Sequence, residues 1–404
     1  MRILPLVSSI FKNRRRAVPR PSWCTYLVCF RCNARCQMCD SWRMKPGSEL
    51  TPQQVRTVFD KIGRLDVVRL SGGEPFLRVD FPEVAEAVLA ASRPGIIHIT
   101  TNGSYPGRIV DFVKSFPQPR RLRFMVSFDG AEAEHDANRG EDVTFSLAEE
   151  SVRRLLELRS RYKVPVSINH TVISGQSMAD HQLLKERFEP RGVDVHTVLA
   201  YSDSAMYGYK RFGKKATDLI QETGYPLHPK LDMADSIRFV EQQIADLRQL
   251  RDPMLRIGKS YYLNGLLARL RQVRQPKPKP ACVALRSHIR ILPDGSVPVC
   301  QFNTERVGNL LHQSFDEVWH GEAIRDPRQW VDNCPGCWAE CEVMPSAIYT
   351  GDLLTAFLPS RNSSTGDVVP KSPQIEPVVS SSETPAAKDR ETVLVALSGP
   401  SEPK

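Results

Sequence analysis

The stretch FRCNARCQMC, residues 30–39, places Cys32, Cys36 and Cys39 directly after the apolar run WCTYLVCF at 23–30. That run reads as a β-strand, so the three thiols fall in the loop at its carboxyl end, where parallel sheets place their ligands. A closed zinc site takes four ligands, and Asp40, adjacent to Cys39, is poorly placed to complete a tetrahedron. Three thiolates can instead hold three irons of a four-iron cubane and leave the fourth open to a ligand that is not protein. A zinc knuckle and plain buried thiols are the alternatives at this point. Cys24 and Cys29, inside the apolar run, read as core thiols.

Outward from this loop, short β-rich runs alternate with helical patterns. DVVRLS (66–71), GIIHITT (95–101), RLRFMVSF (121–128), VPVSINHTV (164–172) and VDVHTVLAY (193–201) read as strands two to six. Between the first two, LTPQQVRTVFDKIG reads as a helix with Thr51 as N-cap, Pro52 at the first position, Gln54 completing a capping box and Gly63 as the stop. Repeated βα alternation argues for an α/β fold with a parallel sheet and helices outside. Six units are too few for a closed eight-stranded barrel, so a partial (β/α)6 barrel or an open doubly wound sheet is expected.

The 404 residues divide by composition. A basic segment (1–22) precedes the barrel (23–205). A helical stretch ending in a Pro/Lys linker (206–280), a small cysteine-rich domain (281–352) and a Ser/Pro/Glu-rich tail expected to be disordered (359–404) follow. Five of the ten cysteines lie between Cys24 and Cys39 and five between Cys282 and Cys341. Without a signal peptide this favours metal or redox use over disulfides, and a cytoplasmic protein. The formal charge of +9 comes from Lys and Arg mixed with Asp and Glu, so nucleic-acid binding is not expected. One exception is KNRRR at 12–16. Preceded by Ile3, Leu6, Val7, Ile10 and Phe11 at helical spacing, it suits a helix lying on the inner membrane surface through residues 1–16. A disordered end or a helix packed over the barrel is the alternative.

The CxxxCxxC spacing after the first strand, with SGGEP (71–75) after the second, resembles the radical S-adenosylmethionine (SAM) enzymes. The resemblance implies that SAM chelates the open iron of a 4Fe-4S cluster. It is then cleaved reductively to a 5′-deoxyadenosyl radical that abstracts hydrogen from a substrate. It also implies that Gly72, Gly73, Glu74 and Pro75 hold the methionine amino group. Asn102 in TTNG and Ser127 and Asp129 in SFDG would meet the ribose and carboxylate, Arg139 would lie near that carboxylate, and Asn169 and Val172 would be adenine contacts. Met38 departs from the aromatic residue many members carry there, which alters packing.

Cys282, Cys300, Cys334, Cys337 and Cys341 form the second group, with a hairpin expected across PDG (293–295) and a helix after it. A zinc ribbon is the plain reading. Downstream of a radical motif the group resembles the SPASM and twitch extensions. Five cysteines cannot supply two more four-iron clusters, so the smaller twitch form with one auxiliary 4Fe-4S cluster is expected. Cys282, Cys300, Cys334 and Cys337 are its first-choice ligands; Cys341 either replaces Cys337 or is spare. The implied function is oxidation or coupling of a small-molecule or lipid substrate, the auxiliary cluster transferring electrons and an external donor such as flavodoxin or ferredoxin supplying them. A maturase acting on a ribosomal peptide is the alternative, although no leader-binding domain is seen. A tRNA- or nucleotide-modifying enzyme and a non-catalytic Fe-S protein stand behind these. Tyr201, Asp203 and Tyr207 are candidates for lining the pocket.

Overall fold

The computed structural model describes residues 3–45, 47–202, 220, 224–250, 252–273 and 280–355. Asp203, Tyr207, the linker at 274–279 and the tail at 359–404 lie outside these residues. Helix α1 (Ile3–Arg14) leads into β1 (Trp23–Leu27), and five βα repeats follow. These are α2 (Pro52–Ile62), β2 (Val67–Ser71), α3 (Phe81–Ser92), β3 (Ile96–Thr101), α4 (Pro106–Ser115) and β4 (Leu122–Phe128). Then come α5 (Glu132–Arg139), α6 (Thr144–Tyr162), β5 (Val166–Val172), α7 (Gly175–Ala179), α8 (His181–Phe188) and β6 (Asp194–Leu199). All six expected strands are present, and every pairing among them is parallel. Helix α2 starts and stops where its sequence says: both capping-box bonds of Thr51 and Gln54 form, and Gly63 ends it at φ +80°.

The sheet has a seventh strand. In the order β6-β5-β4-β3-β2-β1-β7, strand β7 (His288–Ile291) comes from the cysteine-rich segment and pairs parallel with β1, Trp23 opposite His288. It covers an edge that β1 would otherwise expose. The expected turn across PDG forms, Gly295 at φ +84° and Leu292 N donating to Ser296 O at 2.9 Å. Its two arms then part: β8 (Ser296–Pro298) pairs antiparallel with β9 (Arg306–Asn309) in a separate two-stranded sheet.

Along β3, β4, β5 and β6 buried and half-buried residues alternate. The buried set, including Ile97, Ile99, Phe124, Val126 and Ile168, packs with Phe59, Val84, Phe112 and Val152 of the helices. Burial of each such side chain contributes about 1.5–3 kcal/mol. The other set, with Arg69 of β2, forms a polar inner face. Against β6 stand α9 (Met233–Asp246) and α10 (Pro253–Leu270). Helix α10 begins at Pro253, inside the stretch read as helical, because Asp252 caps it by accepting from Met254 N and Leu255 N and Pro253 opens it. Then follow α11 (Phe315–His320), α12 (Arg325–Asn333), α13 (Glu340–Thr350) and α14 (Asp352–Thr355).

Helix α1 divides the apolar face read from its sequence. Leu6 and Ile10 turn partly inward, while Val7 and Phe11 face solvent with Leu4. No described helix is long and apolar enough to cross a membrane.

Candidate active site

The three-cysteine loop and the SGGEP loop interlock through backbone. Gly73 N donates to Cys29 O and Glu74 N to Arg31 O, both at 2.8 Å. The two glycines permit this approach: a Cβ on Gly72 would lie 2.2 Å from Cys29 O, and one on Gly73 2.0 Å from Arg31 O. Glu74 is fully buried and its carboxylate organises the neighbouring strand end. Oε1 accepts from Thr101 Oγ1 at 2.7 Å and Phe76 N at 3.0 Å, and Oε2 from Asn102 N at 2.7 Å. Burial raises the Glu74 pKa despite these donors. Asn102 points back at the cysteine loop, its Nδ2 donating to Asn33 Oδ1 at 2.8 Å and lying 3.9 Å from Cys32 Sγ.

Asp129 and Arg139 are both buried and form a bidentate pair at 2.6 and 3.1 Å, with Asn138 Nδ2 adding a third bond to Asp129 at 2.8 Å. Arg139 is thus neither solvent-facing nor loose. Its carbonyl accepts from Arg35 N at 2.8 Å, between Cys32 and Cys36, so the pair braces the cysteine loop. Ser127 and Asn169 lie on the half-buried inner face, Asn169 Nδ2 donating to Thr171 Oγ1 at 3.1 Å. Val172 faces the other way, fully buried in the cluster that holds Leu199. Pro75 is buried at the start of a short turn.

Among the second group, Cys282, Cys300, Cys334 and Cys337 line one cavity, walled by Phe302, Trp330 and Trp338. Cys341 is directed elsewhere, its Sγ donating to Gln301 Oε1 at 2.8 Å. Sequence gave no sign of two residues that shape this cavity. Arg269 of α10 is buried beside it and donates Nη2 to Pro335 O at 2.9 Å. Gly265, one turn earlier, leaves room for Trp338, whose Cζ2 would sit 1.6 Å from an added Cβ.

The donor chemistry at both groups fits iron-sulfur clusters. All ten cysteines are free thiols in described residues. Burial pushes the pKa of all eight in the two groups up, Cys32, Cys39 and Cys300 to about 12. Thiolates there need a compensating cation, which metal ligation supplies. Backbone groups already point at sulfur, among them Asn303 N to Cys300 at 3.2 Å and Gly336 N to Cys334 at 3.4 Å. Among the described residues no three His, Cys, Asp or Glu side chains converge as a single ion needs. A four-iron cluster takes a separate thiolate on each iron and does not require such convergence.

Between the two groups lies the inner face. Arg69 Nη1 meets Glu340 Oε2 at 3.2 Å and Arg69 Nε lies 3.5 Å from Thr100 Oγ1. Burial, with Arg69 nearby, pushes His98 down to about 3, and burial also lowers His196, so both rings are neutral. His98 Nδ1 and His196 Nε2 are buried with no hydrogen-bond partner among the described residues. Tyr201, at the end of β6, stacks on Tyr225 at 5.2 Å and meets the edge of Phe302 at 5.5 Å, linking the barrel rim to the cysteine cavity. The inner-face residues had a legible signal: Arg and His interrupting apolar strands at alternate positions.

Family models for the radical SAM superfamily and for SPASM, an iron-sulfur cluster-binding domain, match residues 26–187 and 282–341, together more than half of the chain. The chain belongs to the radical SAM superfamily. Its radical SAM domain binds a 4Fe-4S cluster and SAM, and its SPASM domain binds auxiliary iron-sulfur clusters. Among curated proteins, the GTP 3′,8-cyclase of Aquifex aeolicus (strain VF5) is 26% identical over 317 residues, 72% of this chain and 86% of that protein. Mycofactocin maturase MftC of Mycobacterium tuberculosis (strain ATCC 25618 / H37Rv) is 27% identical over 347 residues, 82% of this chain and 79% of that protein. Among solved structures, anSMEcpe with bound AdoMet shares the fold at 17% identity and a TM-score of 0.54, covering 83% of this chain and 96% of that one. Streptococcus suis SuiB bound to S-adenosylmethionine does so at 13% identity and 0.53, covering 77% and 68%.

Proposed function

We propose that this radical SAM enzyme oxidises or cross-links a polar substrate, a peptide in our preferred reading, at the inner face between its two cysteine groups. When bound, the reduced cluster and SAM supply a 5′-deoxyadenosyl radical that abstracts hydrogen. Cys32, Cys36 and Cys39 would hold that cluster. The backbone of Gly72–Pro75, with Glu74 fixing the loop, would hold the methionine end of SAM, and Ser127 and Asn169 would meet the rest of it. Asp129 and Arg139 keep the cysteine loop in place. One auxiliary cluster on Cys282, Cys300, Cys334 and Cys337 would suit electron transfer.

The observation that carries the substrate reading is the polarity of the inner face. An Arg69–Glu340 pair and two neutral histidines, each with a ring nitrogen that has no partner among the described residues, favour a ligand that brings hydrogen-bonding groups. An alkyl chain would bury those groups unpaired. This moves a lipid substrate behind polar ones, although sequence alone placed lipids and small molecules first. The maturase likeness, over 82% of the chain against 72% for the cyclase, supports a peptide before a nucleotide.

Anaerobic reconstitution tests the assignment. Wild type is expected to hold about eight irons, and a Cys32→Ala/Cys36→Ala/Cys39→Ala variant about four. Wild type with dithionite should form 5′-deoxyadenosine and the variant none. Failure of wild type to cleave SAM would overturn the catalytic reading. Faster cleavage with short peptides than with nucleotides or lipids is the expected substrate signature.

A further inference from the structure

Helix α1 is docked on one side and bare on the other. Ser9 and Asn13 are buried, Asn13 Nδ2 donating to Ser287 Oγ at 2.7 Å and Tyr349 O at 2.9 Å. On the outer side Leu4, Val7 and Phe11 are 83, 57 and 53% exposed. Spaced three and four apart, they lie along one stripe. Contiguous exposed apolar side chains of this kind mark an interaction surface.

The charge around the stripe selects its partner. Lys12, Arg14, Arg15, Arg16 and Arg20 follow it, and no Asp or Glu occurs in residues 1–39. Some of these cations are held by the protein: Arg14 Nε bonds Thr350 O at 2.8 Å and Arg16 pairs with Asp332 at 3.1 Å. Lys12 and Arg15 are exposed, and the Arg15 guanidinium lies 3.8 Å over the Phe11 ring, which joins the apolar and cationic patches. Apolar side chains with adjoining cations, on a segment that itself carries no carboxylate, complement an anionic lipid surface, where the apolar side chains enter the interface and the cations meet headgroups.

We propose that α1 docks the enzyme reversibly on anionic membranes through Leu4, Val7, Phe11, Lys12 and Arg15. The inference does not rest on the substrate reading, since this surface is separate from the inner face.

The test is co-sedimentation of the reconstituted full chain with phosphatidylcholine vesicles, with and without phosphatidylglycerol. Binding is expected to the anionic vesicles and to weaken with salt. Each cation contributes roughly fivefold in partition, so Lys12→Glu/Arg15→Glu should weaken binding more than about tenfold. Val7→Glu/Phe11→Glu should abolish it. Both variants should keep wild-type iron content and thermal midpoint, because the altered side chains are exposed. Equal binding to neutral vesicles, no binding to either, or unchanged binding by both variants would overturn the proposal. So would concentration-dependent self-association in place of vesicle binding that Val7→Glu/Phe11→Glu removes, which would assign the stripe to a second copy.

Discussion

Arg69 and Glu340 tie the two cysteine groups together across the inner face, Nη1 to Oε2 at 3.2 Å with side chains 15 and 23% exposed. Arg69 stands three residues before Gly72 on β2, and Glu340 lies between Cys337 and Cys341. Removing one partner leaves the other charge largely desolvated without its counter-ion. Arg69→Met should therefore destabilise the protein by about 3 kcal/mol. Adding Glu340→Gln should restore part of that loss, a coupling of about 1 kcal/mol or more in a double-mutant cycle. Anaerobic denaturant titration measures it, and strictly additive effects would show that the pair is not an energetic unit.

Glycine substitutions should separate a structural cradle from ordinary helix glycines. At Gly73 a methyl group would lie 2.0 Å from Arg31 O, and that neighbour is backbone that cannot rotate away. Gly73→Ala is expected to separate the SGGEP and cysteine loops and weaken SAM binding more than about tenfold, read by equilibrium dialysis. Gly107, in α4, has no described atom within 4 Å of an added Cβ. Gly107→Ala should instead be neutral or stabilise by about 0.5–1 kcal/mol. Wild-type SAM affinity in Gly73→Ala would contradict the cradle.

These two cases also mark what could be read in advance. The strands and α2 were legible because they depend on local chemistry: period-two alternation in IIHITT, the Thr51–Gln54 box, the Gly63 stop. The two cysteine groups stood out because the spacing of cysteines is a local property of a loop. Strand β7 was not read as part of the sheet, because the run HIRI does not encode its partner, which lies more than 250 residues earlier. Arg139 shows the same limit within the candidate site. The resemblance set it near the SAM carboxylate, but nothing in its local sequence announced the bidentate pair that its Nε and Nη2 make with Asp129 ten residues before it. Glu340 could not be assigned from sequence at all, since its meaning depends on Arg69.

The choice between Cys337 and Cys341 as the last auxiliary ligand rests on direction. Cys337 shares a cavity with Cys282, Cys300 and Cys334, while Cys341 donates to Gln301 Oε1. Cys341→Ser should retain about eight irons, and Cys337→Ser should fall to about four with the SAM-binding cluster intact. Iron analysis with electron paramagnetic resonance distinguishes them. The reverse pattern would make Cys341 the ligand.

Gly265 should matter to iron content although it lies some 70 residues before the cysteines it serves. Trp338 holds φ +55° between Cys337 and Ala339, and its ring lies on α10 where a Cβ at residue 265 would be 1.6 Å from Cζ2. The indole Nε1 also donates to Tyr262 O at 2.9 Å, so the ring has little room to move. Gly265→Val should displace the ring and the loop with it, lowering iron from about eight to about four per chain. Helix α10 itself should persist, because Val costs a helix less than about 1 kcal/mol relative to Ala. Normal iron content with unchanged far-ultraviolet circular dichroism would show that the ring is not what positions the cysteines.

Acid should expose the weight carried by Asp129. Burial works to raise its pKa, but the Arg139 guanidinium, with His135 and Asn138, outweighs burial and holds it below the usual carboxylate range. A carboxylate depressed in the folded state stabilises fully above its unfolded pKa and loses that contribution as pH falls through the folded value. Asp129→Asn leaves Arg139 buried beside a neutral amide, at a cost of about 3 kcal/mol near neutral pH. The wild-type advantage should persist at about pH 6 and shrink below about pH 4, as protonation of Asp129 makes the two proteins alike. Comparing urea midpoints of the pair across that range cancels losses common to both. An advantage that stayed constant down to about pH 3, well below the ordinary carboxylate range, would mean the pair contributes through shape rather than charge.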